Sequence, residues 1–209
     1  MAEPLASGFV SSLSRPGGNT TGFTNVEPSI AGKWVELVKE IAPPVARVGL
    51  IYNPKTAPYA GPFLETAHKA AARLGIQSVA VPIHDEAEIR TALTAMADKA
   101  TGLVSITDSF IVEHRSTIIG LAGQRFLPAV YPFRLFATEG GLMSYGADIL
   151  EMYQGAASYL DRILKGEPPG DLPVQQPTKF EFVLNIRTAN ALGLTVPLLF
   201  QQLADDVID

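Results

Sequence analysis

Between Arg47 and Tyr145 short unbroken apolar runs alternate with longer stretches of helical period. The runs RVGLIY (47–52), SVAVPI (78–83), LVSI (103–106), PAVY (128–131) and LMSY (142–145) are short and rich in β-branched residues, as buried parallel strands are. Between them the apolar positions fall three and four apart. Residues 60–74 place Phe63, Leu64, Ala67, Ala71 and Leu74 on one face, and Gly75 closes that helix. Residues 85–97 form a second helix, with Asp85 as N-cap and Glu88 at the capping-box position. Residues 111–122 read as one further helix. Ahead of this block, residues 28–41 carry Ile30, Trp34, Leu37, Val38 and Ile41 on one face and stop at Pro43-Pro44. The pattern predicts an α/β fold, a Rossmann-like parallel sheet flanked by helices, with right-handed crossovers.

The two ends of the chain read differently. Residues 4–13 allow a short helix, broken by Arg15-Pro16-Gly17-Gly18-Asn19, and 20–24 is β-prone. After the last strand of the block, 149–164 has a strong helical period and ends at Lys165-Gly166. Pro168, Pro169, Pro173 and Pro177 then keep the chain extended. A strand at 180–184 and a helix capped by Asn185 complete the pattern.

Ligands of parallel sheets lie beyond the carboxyl ends of the strands, so the turns at 53–59, His84, 107–110 and 132–136 hold the candidates. Asn53 can donate and accept toward a small polar ligand, or form an Asx-turn that supports its own loop. Tyr59 closes the same turn. Asp108 offers a carboxylate to an amino group, or caps the next helix; Ser109 follows it. Tyr131, Phe133 and Arg134 offer aromatic walls and a cation suited to an amino acid or aromatic acid, unless the rings pack under the sheet and Arg134 pairs on the surface. Tyr145-Gly146 suits either a hinge, through glycine's wide φ/ψ range, or an ordinary strand-end turn.

Composition removes several classes. The chain is 47% hydrophobic and 18% charged with net charge −5, which disfavours a nucleic-acid partner. No run of 18 apolar residues occurs. There is no cysteine, hence no disulfide or thiolate metal site. His68, His84 and His114 are isolated, and no metal site or cofactor is expected. No phosphate loop, dinucleotide fingerprint or serine-nucleophile motif is present, so no enzyme activity is expected.

The segments SRPGGNTTGFTN, ARVGLIYNP, GGLMSYGADILEMYQGAASYLDRILKG and LPVQQPTKFEFVLN, in this order and spacing, resemble bacterial ABC-transporter substrate-binding proteins of the tryptophan/tyrosine type. The resemblance implies the type I periplasmic-binding-protein fold, whose two lobes close on a small organic solute such as an amino acid and deliver it to an ABC permease. It implies a division into 1–26 (remnant of the N-terminal lobe), 27–140 (C-terminal lobe), 141–175 (return segment) and 176–209 (final crossing). On this reading most of the first lobe is missing. Location is periplasmic by resemblance; residues 1–18 lack a basic region followed by an apolar core, so a chain consisting of this sequence alone would stay cytoplasmic. Apolar faces left uncovered at 4–24 and 142–164 predict a homodimer through the remnant, the rival reading being a self-associating module that has lost solute capture.

Overall fold

The computed structural model describes residues 4–5, 8–25, 27–98 and 100–209. Its centre is a seven-stranded sheet of β1 (Arg47–Tyr52), β2 (Gln77–Pro82), β3 (Thr101–Ser105), β4 (Ala129–Tyr131), β5 (Met143–Ala147), β6 (Phe180–Asn185) and β7 (Asp206–Ile208). The order across the sheet is β2-β1-β3-β4-β5-β6-β7. β1 pairs parallel with both β2 and β3, and the β3–β4, β4–β5 and β6–β7 ladders are parallel too. The strands read from the sequence therefore lie in one sheet, as expected.

The helices are α1 (Ile30–Ile41), α2 (Ala60–Arg73), α3 (Glu86–Ala95), α4 (Ser109–Glu113), α5 (Arg115–Gln124), α6 (Arg134–Thr138), α7 (Ile149–Leu164), α8 (Ile186–Ala191) and α9 (Leu198–Gln202). One layer is set by α1 and α2. Trp34 and Phe63 are fully buried and stack at 5.7 Å. α1 approaches β3 closely because position 102 has no side chain: a Cβ on Gly102 would lie 2.3 Å from Val38 Cγ1. The opposite face of the sheet carries Ile51, Leu103 and Tyr131, packed with Ile89 and Leu93 of α3, Ile118 of α5 and Phe136 of α6. β2 is the outer strand beside β1 and is largely exposed, unlike β1 and β3.

Several local expectations change. The helix expected at 111–122 is two, α4 and α5, meeting at His114, whose Nδ1 donates to the Phe110 carbonyl (2.9 Å). The helix expected at 4–13 is absent among its described residues, 6 and 7 lying outside them. Turn bonds from Gly8 N to Leu5 O and Phe9 N to Pro4 O (both 3.0 Å) replace it, with Gly8 at φ 69°. Ser12 Oγ accepts from Arg15 N at 3.0 Å, a local bond that competes with helix. The β-prone stretch 20–24 makes only a bridge, Phe23 with Gln175.

The chain forms two compact units. Unit 1 is Met1–Glu27 with Ala147–Phe180; unit 2 is Pro28–Gly146 with Glu181–Asp209. Residues 141–146 fall in unit 2.

Candidate functional site

The strand order reverses between β1 and β3, because β1 is followed by β2 on one side and by β3 on the other. At such a switch point the loops leaving the two strands diverge and open a crevice. In unit 2 these loops are tied together. Asn53, just after β1, donates its backbone N–H to Asp108 Oδ2 at 2.6 Å across the crevice. Asp108 Oδ1 accepts from Thr56 Oγ1 (2.5 Å) and from Phe110 N (2.9 Å), the latter capping α4. Asn53 Oδ1 accepts from Lys55 N at 2.8 Å, an Asx-turn, and its Nδ2 donates to the His84 carbonyl at 3.4 Å. Both residues are buried. Their polar atoms thus face the chain's own loops, and the bonds fix where the remaining groups stand.

Tyr59 and Ser109 are the groups these loops present. Tyr59 is half-buried; its hydroxyl donates to the Thr107 carbonyl at 3.0 Å and its ring stands 6.5 Å from that of Phe63. Ser109 is exposed at the start of α4.

The third candidate cluster is divided. Tyr131 is 1% exposed and stacks on Phe136 at 4.9 Å, inside the core rather than at the strand's end. Burial pushes its phenol well above the ordinary tyrosine range. Phe133 is half-buried against the same core and precedes α6. Arg134 is exposed and pairs with Asp206 of β7 and with Glu181 Oε1 of β6 (2.6 Å). These two carboxylates, Asp206 foremost, raise its pKa.

Tyr145 and Gly146 are the last residues of unit 2 before the chain enters unit 1. The Tyr145 carbonyl accepts from Trp34 Nε1 at 2.6 Å, and burial, with Asp205 and Glu36 nearby, raises its phenol pKa. Gly146 is required for space, not for φ: a Cβ there would lie 1.8 Å from the Pro132 carbonyl oxygen, and its φ is not among the positive ones.

The sequence reading placed Thr56 and Thr107 within the candidate turns but did not single them out; they complete the loop ties. Nor did it include the groove of about 360 Å³ within unit 1, where Tyr159 and Phe23 stand 5.0 Å apart and Gln175 Nε2 donates to the Tyr159 hydroxyl at 2.8 Å. Among the described residues no group of three or more histidine or acidic side chains could hold a metal ion.

A parallel α/β sheet with its loops gathered at a switch point defines the fold class and the place for a ligand. The family is given by comparison. A model of the ABC transporter substrate binding protein family matches residues 1–208, and the chain belongs to that family. The tyrosine-binding protein of Clostridioides difficile (strain R20291) is 27% identical over 194 residues, 93% of this chain and 55% of that protein. A conserved domain protein from Vibrio cholerae O1 biovar El Tor superposes with TM-score 0.87 at 29% identity, covering 99% of this chain and 69% of that one. An ABC domain from Streptococcus pneumoniae, solved in complex with L-Trp, gives TM-score 0.86 at 26% identity over 99% of this chain and 69% of that one. The chain thus spans about half the length of the curated relative it matches.

Proposed function

We propose that the protein is the solute-binding component of an ABC importer and that its solute is an aromatic amino acid or a closely similar small acid. The observation that carries this reading is the superposition, over 99% of the chain, on a domain that binds L-Trp. The tyrosine-binding relative supports the same class of solute. The solute lies over the carboxyl ends of β1 and β3, touching Tyr59 and Ser109, with Phe133 and Arg134 at the neighbouring turn. Asn53 and Asp108 serve it by holding those loops in place, and Tyr131 by supporting β4 from within. Gly146 is the pivot at the unit boundary. Binding needs only hydrogen bonds and ring contacts, with no covalent step. An ABC permease is the partner, and the periplasm is the compartment in which the protein works.

Calorimetry or thermal shift against L-Trp, L-Tyr, L-Phe and L-Leu tests this. Saturable binding of an aromatic amino acid, weakened by Tyr59→Ala or Arg134→Ala, is expected. Absence of any shift at millimolar solute sinks the reading for this chain.

A second reading has its own observation. α7, sixteen residues long, buries none of them. Here unit 1 self-associates, as a homodimer, whether or not solute capture is retained.

A further inference from the structure

Trp34 is the single tryptophan of the chain and is fully buried. Its ring lies on Phe63 at 5.7 Å, 8° from parallel, and Phe63 in turn stands 6.5 Å from the ring of Tyr59. A buried indole N–H costs free energy unless it meets an acceptor, so packing alone would favour phenylalanine or leucine at this position. The acceptor is the Tyr145 carbonyl, 2.6 Å from Nε1. That carbonyl belongs to the peptide leading into Gly146, the last residue of unit 2 before the chain enters unit 1. The neighbouring ladder stops just short of it. β4 pairs with β5 as far as Tyr131 with Ser144, and the next residue, Pro132, has no N–H to offer. Gly146 itself lies against the Pro132 carbonyl, with no room for a Cβ.

We propose that Trp34 is a positioning residue for solute binding, tying the ring at the solute site, Tyr59, to the peptide that enters the pivot at Gly146. This rests on the function proposed above and deepens it. Tyr59 is held at both ends: its hydroxyl donates to the Thr107 carbonyl at 3.0 Å, in the turn after β3, and its ring borders Phe63. A solute that displaces Tyr59 therefore presses on Phe63. Phe63 and Trp34 are both fully buried and lie flat on each other, so close packing passes the displacement to the indole. The indole bond carries it to the chain. Rotating the Tyr145–Gly146 peptide turns the carbonyl away from Nε1 and strips a buried donor of its acceptor. The orientation of that peptide is thus bound to the position of the ring stack. The coupling is reciprocal: what the solute does to the peptide, the peptide does to solute affinity.

The test uses the whole chain, hydrogen exchange, and calorimetry with L-Trp, L-Tyr and L-Phe as probes. Trp34→Phe keeps a ring on Phe63 and removes the donor. Without solute it should speed exchange of the Gly146 and Ala147 amides at least about tenfold beyond any change in β1, the effect of one lost buried hydrogen bond. Tyr59→Ala, at the other end of the stack, should speed the same amides and add nothing further in the Trp34→Phe background. Trp34→Phe should also weaken whichever probe the unaltered chain binds by at least about fivefold, the lower end of coupling between sites. Leu93→Ala is the control for stability alone, since Leu93 is fully buried in the opposite layer. It should lower the melting temperature yet leave affinity, and the exchange of Gly146 and Ala147 relative to β1, unchanged. Trp34→Phe and Leu93→Ala behaving alike in both readouts overturns the inference. Exchange speeded by Trp34→Phe but not by Tyr59→Ala overturns the link to the solute site. If none of the three probes binds the unaltered chain, the proposed function fails, and the tie between Tyr59 and the pivot stands or falls on exchange alone.

Discussion

Two glycines show how one substitution takes opposite signs. At Gly146 the missing side chain makes room for the Pro132 carbonyl, 1.8 Å from where a Cβ would stand. Backbone cannot yield as a flexible side chain does, so Gly146→Ala should destabilise by at least about 2 kcal/mol in urea unfolding. Gly120 is exposed within α5, and nothing lies within 4 Å of its would-be Cβ. Gly120→Ala should stabilise by about 0.5–1 kcal/mol, through helix propensity alone. Equal effects at the two sites would refute the account of Gly146.

Asp108 is held on three sides by its own chain. Its carboxylate takes three donors, from Asn53, Thr56 and Phe110. Asp108→Ala leaves the Asn53 N–H without its acceptor in a buried site and removes a helix cap, a loss of about 3 kcal/mol. If Asp108 instead served mainly as a solute ligand, Asp108→Ala would lower affinity at nearly unchanged stability; the melting temperature measured without solute distinguishes the two. The sequence left cap and ligand as equal alternatives for both Asn53 and Asp108, and it could go no further. The bond that ties the two residues together joins positions 55 apart in the chain.

At the scale of elements, legibility follows length and burial. β1, β3 and β4 were readable because strands covered on both faces are unbroken apolar runs. α6 and β7 were not: five and three residues are too short to carry a period, and β7 exists through its ladder with β6. The break at His114 was hidden because α4 and α5 continue one apolar pattern. α7 was readable at both ends. Its N-cap, Asp148, accepts from Leu150 N (3.0 Å) and Glu151 N (3.1 Å) and binds Lys179 at 2.8 Å. Lys179 first, then the Glu151 N–H, hold its carboxyl below the ordinary aspartate range. A lowered folded pKa means the stabilisation is fully present above the unfolded value of about 3.9 and fades as pH falls through the folded one. Asp148→Ala should cost about 1 kcal/mol at neutral pH, the usual worth of a cap, and less in acid. Asp148→Asn should keep most of the cap while removing this acid dependence. Chemical denaturation at about pH 7 and about pH 2.5, either side of the unfolded value, measures both. A cost that did not shrink in acid would contradict the assignment.

For the whole molecule, the two units differ in how much core each owns. In unit 2, α1 alone buries seven residues, Trp34 among them, and every residue of β3 is buried. In unit 1 the longest helix buries none, and among the described residues the buried apolar side chains are few, Val10, Leu172 and Val174 being among them. Local opening free energy tracks buried apolar contact, so unit 1 should open well below the global unfolding of unit 2. In hydrogen exchange at about 1 µM, α7 amides should be at least about 100-fold less protected than those of β1 and β3, corresponding to roughly 3 kcal/mol. Protection as high in α7 as in β1 would show that unit 1 is held by something other than its own sparse core.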